Sequence, residues 1–459
     1  MSWRTPSRRR RFHFLFSLSL PTHTRKMLPI ARAAAAAGAG AARAAAAAMA
    51  GTRGAHTSAS AVALLEKHFS PAVPRAPRGN NIVVDHAKGC WITAVDGKKY
   101  LDLQTGIGVA NTGHAHPRVV AAVQAQVAKG IHLQQNCVIS QPVLELLDRL
   151  SKVAPPGLSR FFFNCTGTEA VESAVKLARH ETGRQNVITF KGGFHGRSLT
   201  TLAMTSSKTA YGVGYGPLPS GIFQTQFPMC VHCNCARPSG TDCCCNAALE
   251  SLNTLFKETT APSDTAAIVL EPVLGEGGYV APPPGFFKAL RALCDKHGIM
   301  LVADEVQTGV GRTGTMWAVE HEGVTPDIMV FAKAIASGLP LSGIATRGDM
   351  MKKSPPGSMG GTFGANAVSA AAAVATLDAV VEEKMPANAA ARGAQLSAAL
   401  RGLQTRFPDH ILDVRGRGCM VGLEFKHAPG SGFAGDVTAN CMPEGLLLFT
   451  AVSVIGGRG

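Results

Sequence analysis

The chain has 459 residues, 46% hydrophobic and 16% charged, enough to bury a large core and to divide into more than one domain. Its net charge of +15 suggests a nucleic-acid partner until it is located, because residues 1–65 hold nine arginines, one lysine and no acid. Setting that leader aside leaves about +5, ordinary for an enzyme, and no unbroken apolar run is long enough to span a membrane.

An Arg-rich, Ala- and Ser-rich, acid-free leader is the composition of an organelle transit peptide, and residues 1–56 are assigned to one, without structure of their own. The expected destination is the mitochondrion, with the plastid as alternative. A basic tail, or a secretory signal built on Arg8–Arg11 and the apolar stretch Phe12–Leu20, also fits. Met27 is a second possible start. Residues 31–49 are low-complexity alanine and glycine.

Next, Asn81–Leu103 alternates apolar and polar residues around Asp96-Gly97, which predicts a hairpin. Beyond residue 110, strands are predicted at Arg160–Asn164, Val187–Phe190, Ala266–Glu271, Ile299–Asp304 and Asp327–Phe331. Helical faces fall between them: Ala170, Val171, Ala174, Val175 and Ala178 make one. Phe286, Phe287, Leu290, Leu293 and Cys294 make another, between Pro284 and Gly298. This alternation predicts a mostly parallel α/β sheet with ligands at the strands' carboxyl ends. From Gly364 an alanine-rich helix, a second helix to Phe407, and strands Ile411–Val414 and Met420–Phe425 predict a smaller α+β domain. The expected division is 57–110 contributing to the small domain, 111–363 the large domain, and 364–459 the small domain.

Four segments carry chemistry. Asn164-Cys-Thr-Gly-Thr-Glu-Ala170 opens a helix after a strand, with Thr166 and Glu169 at capping-box spacing, a ready phosphate site. Phe194-His-Gly-Arg197 offers a ring to stack on a heterocycle and a guanidinium to hold a carboxylate. Asp304 ends a buried apolar run, where an acid is costly unless it meets a cation. Lys333, directly after an apolar strand, is a poorly solvated amine drawn toward its nucleophilic form. Singly, each also fits a bland reading: a capped helix, a core Phe, a surface Arg, a snorkelling lysine.

In this order and spacing, the motifs resemble the class III pyridoxal-phosphate aminotransferases of the aspartate-aminotransferase fold (fold type I), from about Asn81 to Thr450. Glu271-Pro-Val-Leu-Gly-Glu-Gly-Gly278 and Met359-Gly-Gly-Thr-Phe-Gly364 resemble the 4-aminobutyrate branch. The resemblance implies that Lys333 carries pyridoxal 5′-phosphate and later moves protons. It implies that Asp304 keeps the ring nitrogen protonated, Gln307 bonds the phenolic oxygen, and Val306 and Phe194 sandwich the ring. Gly167 and Thr168 would hold the phosphate, with Thr362 reaching it from a second subunit of a homodimer. Ile107, Arg197 and Glu276 would contact substrate, Glu276 masking a second arginine near the C-terminus. The implied reaction is a ping-pong transfer from an ω-amino acid to a keto acid. An ornithine or acetylornithine aminotransferase is the alternative, as is an inactive shortened isoform.

Two departures stand out. The resemblance implies a carboxylate-binding arginine after Cys441–Thr450 that residues 451–459 do not supply in the family's motif, so the small domain is expected to be truncated. Half of the twelve cysteines lie between Cys230 and Cys245. Cys230, Cys233 and Cys235 with Cys243–Cys245 have knuckle-like spacing, but adjacent thiols cannot all ligate one ion, so no metal is expected.

Overall fold

The computed structural model describes residues 57–73, 82–232, 241–428 and 430–451. The expected leader, residues 1–56, lies outside them, as does the tail 452–459. Contacts divide the chain into Met1–Ser60 and Ala61–Gly459, and the sheets and the site belong to the second unit.

A seven-stranded sheet forms its centre, in the order β4 (Leu158–Asn164), β10 (Ser342–Arg347), β9 (Ile328–Phe331), β8 (Met300–Asp304), β7 (Thr265–Leu270), β5 (Asn186–Phe190), β6 (Ile222–Thr225). The pairings β9–β8, β8–β7, β7–β5 and β5–β6 are parallel, whereas β10 runs antiparallel to both its neighbours. Every residue of β7 and β9 is buried, as a sheet covered on both faces requires. Alternate residues feed two cores. Ile188, Ile268, Leu301, Met329 and Phe331 face one, with helices Gln141–Val153, Phe286–His297 and Ala367–Glu382. Val187, Ala267, Val269, Val302 and Val330 face the other, under Ala170, Val171, Ala174 and Ala178 of helix Gly167–Thr182.

Five strands were predicted and are present within two residues of their expected ends. The sheet has two more, β6 and β10. The helix expected from Pro284 begins at Phe286, with Gly285 at φ +88° ahead of it, and it ends at Gly298 as predicted. The N-terminal hairpin is a meander of β1 (Val84–Lys88), β2 (Trp91–Ala94) and β3 (Lys99–Asp102), turning at Asp96-Gly97 between the last two. A short strand β13 (Leu446–Leu447) lies parallel beside β3. The strands expected at 411–414 and 420–425 form the hairpin β11 (Ile411–Arg417) and β12 (Met420–Phe425). Among the described residues, no helix is long and apolar enough to cross a membrane.

Candidate active site

The residues just past β4, β5, β7, β8 and β9 come together at the carboxyl edge of the sheet, where loops leaving parallel strands leave a crevice. Asp304, the last residue of β8, is only 3% exposed. Its Oδ2 lies 2.8 Å from Nδ1 of His195, and its Oδ1 accepts the amide N–H of Val306 at 3.1 Å. His195 is equally buried. Burial works against its charged form, but the hydrogen bond and charge of Asp304, with the charge of Glu271, outweigh it and raise its pKa. The pair is therefore an enclosed hydrogen-bonded pair that favours the charged imidazole, with the carboxylate fixed in place from behind.

Lys333 follows β9 and opens a short turn of 3₁₀ helix with φ +48°. The residue is half-buried by surface area, yet its amine is enclosed. That enclosure lowers its pKa, against the opposing pull of Glu271, Asp304 and Glu276. Glu271, just past β7, accepts the N–H groups of Phe194 and Gly275, each at 2.9 Å. Burial pushes its carboxyl up to about 7.

Helix Gly167–Thr182 starts with the predicted capping box: Thr166 Oγ1 accepts the Glu169 amide at 3.3 Å, and Glu169 Oε2 accepts the Thr166 amide at 2.8 Å. Neither the Gly167 nor the Thr168 N–H finds an acceptor among the described residues. A Cβ on Gly167 would lie 3.1 Å from Val306, so the helix start presses on the loop after β8. The Thr168 hydroxyl is tied to Thr201 Oγ1 at 2.6 Å, and at Gly196 a Cβ would fall 2.1 Å from that hydroxyl. Only glycine fits there.

At the mouth, the Arg197 guanidinium lies 4.8 Å from the centre of the Tyr211 ring and 5.7 Å from that of Phe194. No carboxylate among the described residues pairs with it. Glu276 Oε2 instead accepts from Tyr211 Oη and from Lys208 Nζ, both at 3.1 Å. Gln307 is buried against Gly275, where a Cβ would meet its Oε1 at 1.8 Å, and against Gly108 of the turn that carries the partly exposed Ile107. Thr362 is exposed, and within this chain it makes no hydrogen bond to Gly167 or Thr168.

Sequence reasoning assigned no role to His195, Glu271, Lys208 or Tyr211. The rule that singles out Asp304, an acid closing a buried apolar run, applies equally to Glu271. The Lys208–Glu276 pair carries no local signal. Of the cysteine cluster, Cys230 is exposed, while Cys233 and Cys235 lie outside the described residues, as do the side chains of Cys243–Cys245. No metal-ligating cluster is found among the described residues.

Beside the site, Glu305 is fully buried, accepting the Val319 amide at 2.8 Å and the Thr308 hydroxyl. Burial raises its carboxyl to about 7. From roughly pH 4.5 to 7 the folded chain keeps a proton that the unfolded chain has lost, so stability falls as pH rises through that window. Glu305→Gln keeps an acceptor and removes this slope. Thermal melts should show the variant gaining up to about 3 kcal/mol on wild type between pH 5 and pH 8. An equal difference at both pH values would refute the assignment.

The donor set fits pyridoxal phosphate. A helix start with free N–H groups suits a phosphate, a buried carboxylate held by His195 suits a protonated ring nitrogen, and an enclosed amine suits an aldehyde.

Comparison with known proteins agrees with this geometry. The family described as "Aminotransferase class-III" matches residues 74–455. The chain is 42% identical to the 5-aminovalerate aminotransferase of Pseudomonas putida, covering 82% of this chain and 89% of that protein. It is 40% identical to the 4-aminobutyrate aminotransferase of Escherichia coli, covering 84% and 90%. Among solved structures it resembles an (S)-enantioselective omega-transaminase from Thermomicrobium roseum, with TM-score 0.81, 28% identity, and coverage of 87% and 93%.

Proposed function

The chain belongs to the class-III aminotransferases, pyridoxal-phosphate-dependent enzymes of the α/β fold described above, and from that premise we propose that it transaminates ω-amino acids ending in a carboxylate, 4-aminobutyrate foremost. The observation that carries this reading is Arg197, a guanidinium spread on two aromatic rings at the site mouth and without a carboxylate partner among the described residues. A planar donor fork of that kind suits the far carboxylate of a short ω-amino acid. The names of the two relatives at 42% and 40% identity, 5-aminovalerate and 4-aminobutyrate aminotransferases, support it.

Bound pyridoxal phosphate supplies an electron sink for the substrate carbon next to the amine. The protein's part is to hold and to move protons. Nζ of Lys333, whose enclosure favours the neutral amine, would take a proton from that carbon and return it. Asp304, held by His195, would keep a proton on the ring nitrogen. Gly167 and Thr168 would hold the phosphate, Val306 and Phe194 would flank the ring, and Gln307 would bond the phenolic oxygen. Ile107 borders the substrate. With the cofactor bound, the site would serve both halves of a transfer from an amino donor to a keto acid.

Thr362, exposed in the single chain, is assigned to the phosphate of a second subunit, which makes the working form a homodimer. Residues 57–110 and 364–459 are assigned to the smaller domain, an assignment supported by the pairing of β3 with β13. The acid-free leader supports import into the mitochondrion.

Steady-state kinetics of the purified chain with 4-aminobutyrate and with n-butylamine test the reading. Arg197→Met should raise KM for 4-aminobutyrate about 10- to 100-fold, the worth of a charge-assisted pair, and leave n-butylamine unchanged. Equal KM for the two amines in the wild-type enzyme would end it.

A further inference from the structure

Arg197 and Glu276 have opposite charges and share one neighbour. The guanidinium lies over the face of Tyr211, and the hydroxyl of the same ring donates to Glu276. The two charges are thus separated by a single side chain, yet they do not pair. What holds the carboxylate is Lys208, whose Nζ meets Glu276 Oε2 at 3.1 Å while also lying 5.6 Å from the Tyr211 ring centre. Lys208 and Glu276 are both largely withdrawn from water, with side chains 23% and 12% exposed, so this pair is screened far less than a surface one.

We propose that Lys208 is a specificity-determining residue: it occupies Glu276 and so keeps that carboxylate off Arg197, leaving the guanidinium open for the substrate's carboxylate. An uncompensated carboxylate one ring away would otherwise compete for the same donors. A site that reads a carboxylate needs its cation unpaired in the resting state, and burying a glutamate nearby demands a second cation. Lys208 is that second cation. The segment carrying it lies in the stretch after helix Leu199–Met204, and Thr209–Tyr211 forms a 3₁₀ turn directly after it. Lys208 and Tyr211, three residues apart, therefore reach Glu276 together.

The inference rests on Arg197 being the carboxylate receptor, and the experiment separates the two. On the cofactor-loaded enzyme, KM and kcat are measured for 4-aminobutyrate and n-butylamine, and the affinity for butyrate, which cannot react, is read from its effect on the cofactor's visible absorbance. Lys208→Met should raise KM for 4-aminobutyrate and weaken butyrate binding about tenfold, with kcat within about twofold and n-butylamine unaffected. Adding Glu276→Gln to that variant should relieve both defects relative to Lys208→Met alone, because the competing charge is gone. Lys208→Gln, which keeps a hydrogen-bond donor, should behave as Lys208→Met if charge is the agent, and it serves if the methionine variant folds poorly. Wild-type discrimination between the two amines with no change in Lys208→Met and Lys208→Gln would overturn this inference alone. A double variant as impaired as the single one would do the same.

Discussion

Lys333→Ala is expected to lower turnover by at least about 10⁴-fold, since both the covalent hold on the cofactor and the base are lost together. The substitution should not unfold the chain. Lys333 stands at the head of a 3₁₀ turn whose next three residues are fully buried, and alanine accepts the same backbone geometry at no greater cost. Thermal stability should therefore shift by only about 1 kcal/mol, a typical value for a single substitution that opens no core. The change should be visible in the cofactor itself, as the near-ultraviolet and visible absorbance of the bound form gives way to that of free pyridoxal phosphate. A variant retaining a tenth of wild-type turnover would mean that another amine does this work.

Asp304→Asn should cost about 10²- to 10³-fold in kcat, the usual scale for removing one preorganised charge from a dry site. Asparagine can keep the oxygen that accepts the Val306 amide, and its NH2 can donate to Nδ1 of a neutral His195, so the geometry survives while the negative charge does not. Two effects follow from the loss of that charge. The proton on the ring nitrogen is no longer favoured, which weakens the electron sink. The imidazole of His195 also loses its principal support as a cation, and burial then drives it toward the neutral form. Cofactor affinity should fall by less than kcat does, because the phosphate site proposed at Gly167 and Thr168 is untouched. Full activity in Asp304→Asn, or a loss wholly accounted for by poor cofactor binding, would remove Asp304 from the chemistry.

Where the sequence was legible, the reason is continuity of burial. Strands β5, β7, β8 and β9 are short apolar runs, so their composition alone announces a covered sheet. Strand β10 is just as deeply buried, yet its Ser-Gly-Ile-Ala-Thr-Arg run mixes small and polar residues. Its hydroxyls are satisfied only by partners that the folded chain supplies, such as the Thr166 carbonyl accepting from Ser342 at 2.6 Å. The same division runs through the site. Asp304 and Lys333 advertise themselves as ionisable groups at the ends of apolar strands. Glu276, by contrast, finds Tyr211 across 65 residues of chain, and that meeting has no local trace. The shared neighbourhood of Arg197 and Glu276 becomes evident only once Tyr211 is seen between them.

The pairing of β13 with β3 bears on how the molecule is made. Gln104 Nε2 donates to the Leu448 carbonyl at 2.6 Å across 344 residues, and Leu446 and Leu447 lie beside Leu101 and Asp102. On a ribosome moving at about 5–20 residues per second, the meander waits tens of seconds for its fourth strand, which emerges only after the last strand of the central sheet. During that interval the free edge of β3 offers unpaired amides and carbonyls to any passing strand. A nascent chain stalled short of Leu446 should accordingly recruit chaperones through this edge, and charged substitutions there should relieve the demand without touching the chemistry.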